Sequence, residues 1–126
     1  MQNKKKLNFI FWGTPDVASE TLEILKENGY TPSLIITAPD KPQGRKMVIT
    51  PPSVKVWALN QSKLGSGQAI KNIAVLQPEK LDSEFFNKLK AISYELSIVV
   101  AYGKIIPENI INMPKLGSIN IHYSLL

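Results

Sequence analysis

Leu7-Asn-Phe-Ile-Phe-Trp12, running straight into Gly13-Thr-Pro-Asp16, is the stretch on which the fold turns. The first six residues are mostly apolar and aromatic, bounded by charge on one side and by Gly13 on the other. That pattern reads as a buried strand. The turn after it reads as a helix start, with Thr14 as the N-cap, Pro15 at the first helical position and Asp16 at the positive helix end. Val17, Ala18, Thr21, Leu22, Ile24 and Leu25 then recur at helical spacing. Asn28-Gly29 stops the helix. Residues 33–37, SLIIT, form the next strand. Strand, helix, strand is a βαβ unit, whose crossover is right-handed. The turn carries one glycine rather than G-x-G-x-x-G, so it is not a standard dinucleotide fingerprint.

Three more strands are expected downstream. Residues 73–76, IAVL, make a short one; residues 96–101, LSIVVA, make a fully apolar one of the kind found mid-sheet; the last begins near Gly117. Helices are expected over residues 53–60, from a cap at Asp82 through Phe85, Phe86, Leu89 and Ile92, and briefly over residues 108–112. Five strands alternating with helices predict an α/β fold, a Rossmann-like parallel sheet with helices on both faces. The first strand should be central, with strands two and three on one side and four and five on the other.

At 126 residues and 44% hydrophobic, the chain suits one soluble domain with a real core. It has no cysteine, hence no disulfide framework and no thiolate metal site. A single histidine without clustered carboxylates argues against catalytic zinc, and no metal is expected. The opening Met1-Gln-Asn-Lys-Lys-Lys6 looks like a signal-peptide n-region, but the apolar run after it is too short and turns at Gly13. No stretch approaches the length of a membrane span, so a cytoplasmic protein is expected. The net charge of +5 favours a polyanionic partner without demanding one.

Two places carry candidate chemistry. In Gly117-Ser-Ile-Asn-Ile-His122, Ile119 and Ile121 alternate with Asn120 and His122, which puts the amide and the imidazole on one strand face. An imidazole can move a proton near neutral pH, and an amide can donate to a developing oxyanion. The same spacing also suits a capped edge strand whose histidine bonds only to backbone. Residues 38–52, APDKPQGRKMVITPP, hold four prolines, one glycine and the cations Lys41, Arg45 and Lys46. This long loop follows a strand end, on the rim where α/β sites lie. It reads equally as a phosphate-reaching arm and as a solvated loop.

Several segments together resemble the methionyl-tRNA formyltransferase family. FWGTPDVASETL resembles its F-x-G-T-P-x-x-A motif, TAPDKPQGR its T-x-P-D-x-P-x-G-R loop, and TPPSVKVWA its P-S-P-V-K helix start. VVAYGKIIP resembles A-Y-G-x-I-L-P, and MPKLGSINIHYSLL resembles P-x-x-G-x-x-N-x-H-x-S-L-L. The match spans nearly the whole chain, in order. The resemblance implies that Asn120 and His122 are catalytic. It implies that Tyr102, Gly103, Ile105, Ile106 and Pro107 line the pterin pocket, and that Ser124, Leu125 and Leu126 contact folate. It implies that Arg45 meets the acceptor end of the initiator methionyl-tRNA; its neighbours Lys41 and Lys46 are expected to join it on RNA phosphates because they share the same basic loop. The formyl donor would be 10-formyltetrahydrofolate, used as a substrate.

Tyr123 stands where the family often has glycine, and residues 61–72 look longer than usual. Members of the family are more than twice this length. Residues 1–126 are therefore expected to be the N-terminal part of a formyltransferase catalytic domain, without its C-terminal part or the tRNA-binding barrel. The piece alone is expected to be inactive, and to self-associate through an exposed sheet edge. The alternatives are a non-catalytic Rossmann-like binding module, and formyl transfer to a nucleotide sugar or glycinamide ribonucleotide.

Overall fold

β1, Phe9–Gly13, is buried along its whole length. So is β6, Leu96–Val100, which pairs with it in parallel from Phe9↔Leu96 to Gly13↔Val100. On the other flank β1 pairs in parallel with β2, Leu34–Ile36. Unbroken apolar runs are what strands covered on both faces require. A computed structural model describes residues 7–61 and 73–122 and completes the sheet with β5, Ala74–Leu76, and β7, Ser118–Ile121. The spatial order is β5-β2-β1-β6-β7, all parallel. This is the arrangement the sequence predicts, with the first strand in the middle.

Helices cover both faces. α1, Asp16–Glu27, and α2, Ser53–Gln61, bury Ala18, Leu22, Val54, Trp57 and Ala58 against Phe9, Phe11, Ile35, Ile98 and Val100. α3, Ser83–Lys90, and the short α4, Glu108–Ile111, bring Phe85, Leu89 and Ile110 onto Ile10, Trp12, Ile36 and Val99. The expected cap of α3 is present: the Phe85 amide donates to Asp82 Oδ1 at 3.0 Å. No helix among the described residues is long and apolar enough to cross a membrane.

Two local expectations need correction. Thr14 does not cap α1; Pro15 holds that position with no side-chain cap bond. The Thr14 hydroxyl instead crosses the sheet to the Tyr102 carbonyl, at 2.8 Å. The stretch 38–52 is not irregular throughout. It folds into an antiparallel hairpin of β3, Lys41–Gln43, and β4, Val48–Thr50, paired Lys41↔Thr50 and Gln43↔Val48. Proline reads as a strand breaker, yet Pro42 is tolerated in a two-stranded ribbon, where half of its backbone faces solvent. The turn needs left-handed backbone at Gly44 (φ 77°) and Met47 (φ 51°), which glycine supplies freely at the first position. Tyr123, Ser124, Leu125 and Leu126, residues 62–72 of the segment 61–72 and the basic start 1–6 lie outside the described residues, while Gln61 itself closes α2 and is buried.

Candidate active site

In an open parallel sheet the site forms outside the carboxyl ends of the strands, where the order reverses. Here that place lies between β1 and β6. A cleft of about 630 Å³ opens over the ends of β6 and β7. Its floor is the turn after β6, residues 101–105; Val17 of α1 forms one wall, and Asn120, Ile121 and His122 form the other. Asn120 pairs in register with Val99, so it faces the α3 side of the sheet. His122 follows β7 by one residue and is exposed, as is Asn120. Asn120, His122 and Lys104 place a few polar side chains on an otherwise mainly apolar cleft, the composition expected of a small-molecule site.

The floor turn has an unusual backbone. Ala101 and Gly103 both have positive φ, 51° and 95°, on either side of Tyr102. Glycine adopts that region freely, but alanine pays about 1 kcal/mol for it. Left-handed backbone at Ala101 reverses the chain so that the Tyr102 ring folds down into the core, meeting Trp12 edge-on with centroids 5.3 Å apart. Tyr102 is only 2% exposed, and its hydroxyl has no hydrogen-bond partner among the described residues. Burial without a partner disfavours the phenolate and pushes its pKa up to about 12.

Three residues of the β1 end hold this turn in place. Gly13 is needed for close approach: a Cβ there would stand 2.7 Å from Ala18 Cβ and 2.8 Å from the Val100 carbonyl oxygen. Thr14 donates to the Tyr102 carbonyl. Trp12 supports the ring below and donates to Ser97 Oγ at 3.3 Å.

The hairpin stands on the same rim. Lys41, Arg45 and Lys46 are all exposed on it. Its root is fixed by Asp40, which accepts from Gln77 Nε2 at 2.6 Å and from Lys55 Nζ at 3.2 Å. The Gln77 bond, assisted by Lys55 and opposed by partial desolvation, lowers the Asp40 pKa below the ordinary carboxylate value.

The cleft thus unites Tyr102, Gly103, Ile105, Asn120 and His122. It does not include Ile106, which packs into the α3-side core, or Pro107, which precedes α4 as its N-cap. The hairpin cations do not line it either. Sequence reasoning missed Val17, hidden in the apolar stripe of α1, and Lys104, which donates to the Glu79 carbonyl at 2.7 Å. It also misassigned Thr14, whose role depends on a strand far away in sequence. No group of three or more potential metal ligands occurs among the described residues.

A parallel sheet in this order, with helices on both faces and a cleft at its carboxyl edge, is a doubly wound α/β unit. Residues 5–126 match the family model described as formyl transferase, and the chain belongs to that family. Among its relatives are methionyl-tRNA formyltransferases from three bacteria. That of Caldicellulosiruptor saccharolyticus is 44% identical over 123 residues, covering 95% of this chain and 36% of the relative. That of Elusimicrobium minutum is 49% identical over 118 residues, covering 93% and 32%. That of Bacillus subtilis is 42% identical over 118 residues, covering 93% and 34%. The chain spans about a third of the length of these curated relatives.

Proposed function

We propose that this chain supplies the N-terminal part of the catalytic domain of a cytoplasmic methionyl-tRNA formyltransferase, which moves a formyl group from 10-formyltetrahydrofolate to the amine of methionyl-initiator tRNA. The observation that carries the reading is Asn120 and His122 at the end of β7, opening on a cleft floored by the reversed turn 101–105. A volume of about 630 Å³ lies within the range of cofactor-sized sites and suits a pterin against Val17, Val99 and Ile105. Backbone groups of the turn would read the edge of the ring, and Ser124, Leu125 and Leu126 would extend the contact. Lys41, Arg45 and Lys46 would meet phosphates of the acceptor end from the hairpin.

The chemistry follows from charge. The methionyl amine nitrogen attacks the formyl carbon, and the carbonyl π pair moves onto oxygen. The Asn120 amide and the His122 imidazole donate to that oxyanion, which exists only near the transition state. Collapse reforms the carbonyl and breaks the bond from carbon to N10. The proton lost by the amine matches the one gained by N10, so His122 can carry it without net change.

The test is to replace the matching stretch of the Bacillus subtilis relative with this chain and to assay formylation of methionyl-tRNA. Activity is expected, and His122→Ala or Asn120→Ala should lower kcat about 10²–10³-fold while the far-ultraviolet circular dichroism stays unchanged. A well-folded graft that is as active with either alanine as without it refutes the assignment.

A further inference from the structure

Thr14 occupies a position that neither helix capping nor the reaction accounts for. Its hydroxyl donates to the Tyr102 carbonyl at 2.8 Å. The same oxygen faces two donors of the β2 end, the Ala38 amide at 3.4 Å and the Thr37 hydroxyl at 3.5 Å. One oxygen therefore ties together the carboxyl ends of β1, β2 and β6. Thr37 is fully buried, so its hydroxyl needs this acceptor.

Both things that Thr14 holds bear on the site. Tyr102 sits between two left-handed residues in the turn that floors the cleft. Such a turn persists only where its surroundings fix it. Below the backbone it is fixed by the ring of Tyr102 against Trp12, and at the backbone itself by Thr14. Ala38 is the last buried residue before the hairpin, and its carbonyl accepts from Gln77 Nε2 at 3.1 Å. Gln77 also donates to Asp40, which pairs with Lys55. A continuous run of hydrogen bonds thus leads from the cleft floor through Thr14 and Ala38 to the hairpin root.

We propose that Thr14 is a positioning residue that sets the cleft floor and the hairpin root together, so that the formyl-donor cleft and the basic hairpin keep one fixed spacing. Thr14 touches neither reactant; it acts through the Tyr102 carbonyl and the Ala38 amide. The part of this that concerns substrates rests on the formyltransferase reading; the geometric part does not.

The test uses Thr14→Val, which keeps the shape and removes the hydroxyl, and Thr14→Ser, which restores the hydroxyl on a smaller side chain. In the 126-residue chain, amide exchange is followed by nuclear magnetic resonance. Thr14→Val should speed exchange of the Ala38 amide about tenfold and shift the Ala101 and Gly103 amide resonances, while amides inside α3 stay as they were. Thr14→Ser should return both towards the wild type. In the grafted relative, Thr14→Val should raise the KM for 10-formyltetrahydrofolate about five- to tenfold with kcat within twofold, unlike His122→Ala, which lowers kcat. Serine should again restore the wild-type value. An inactive wild-type graft would count against the formyltransferase reading alone, since the exchange measurement still judges the clamp. Valine and serine behaving alike at Ala38, or wild-type exchange in the valine variant, overturns the proposal.

Discussion

At the scale of single residues, the strand ends are governed by one glycine and one tyrosine. Gly13 is required by space, not by backbone angle: an added methyl meets Ala18, the Phe11 ring and the Val100 carbonyl, each within 2.8 Å. Two of those contacts are with β1 and its central partner β6, and the Val100 contact is with backbone, so relief requires β1, α1 and β6 to shift. Gly13→Ala should cost about 2–3 kcal/mol, read as a lower urea midpoint with unchanged slope. Tyr102 presents the opposite case, a polar atom buried without a partner. Tyr102→Phe should stabilise the chain at neutral pH by about 1 kcal/mol. The sign with pH follows from linkage. An unfolded phenol ionises near 10 and the folded one near 12, so the native state holds the extra proton in between. Stability is intact below pH 10 and falls as pH rises towards 12, by up to ~2–3 kcal/mol. Denaturation midpoints measured across that window should fall less steeply for Tyr102→Phe than for the wild type. Part of the loss should remain, because burial also raises the pKa of Tyr94.

At the scale of elements, legibility in the sequence followed periodicity. β1, β2 and β6 are apolar runs between turn signals, and α1 and α3 have apolar faces at helical spacing; all five were readable within a residue or two. The face of Asn120 on β7 was readable because it alternates with Ile119 and Ile121. The β3–β4 hairpin was not, because Pro39, Pro42, Pro51 and Pro52 mimic a structureless loop. What makes it a ribbon is the β-branched run Val48-Ile49-Thr50 and the turn beginning at Gly44. Its root is tied to the domain through Asp40, which accepts from Gln77 and Lys55. Because the Asp40 pKa is lowered, the native state favours the ionised form, and this contribution is present above the ordinary carboxylate pKa of 3.8 and lost as pH falls through the lower folded value. Asp40→Asn should speed amide exchange in β3 and β4 at neutral pH and leave β1 and β6 protected. For the tip, Arg45→Ala in the grafted enzyme should weaken methionyl-tRNA binding and reduce the slope of log K against log salt by about 1. The KM for the formyl donor should hold. An unchanged salt slope would return the hairpin cations to plain solvation.

At the scale of the whole molecule, the strand order was legible because a right-handed βαβ start leaves few ways to place five parallel strands. The contacts between distant strand ends were not, since nothing near Thr14 in sequence points to Tyr102, 88 positions on. The order also decides what is left uncovered. β1, β2 and β6 are enclosed, whereas β7 is an edge among the described residues. Ile119 lies on the α1 side of the sheet, aligned with Ile98, yet it is 49% exposed because α1 and α2 sit over the inner strands. Leu116, just before the strand, is 57% exposed. An edge that combines open backbone groups with uncovered isoleucine and leucine is a template for pairing with another chain. Lysine or an inward charge, which would blunt such an edge, does not occur within Ser118-Ile-Asn-Ile121. The purified chain is therefore expected to self-associate as its concentration rises, with β7 as the contact. Sedimentation velocity over a hundredfold range of concentration should show the shift from monomer to dimer. Ile119→Lys should move that shift to higher concentration by at least tenfold, because pairing would then bury a charge. Association of equal strength in the lysine variant would put the contact elsewhere on the molecule.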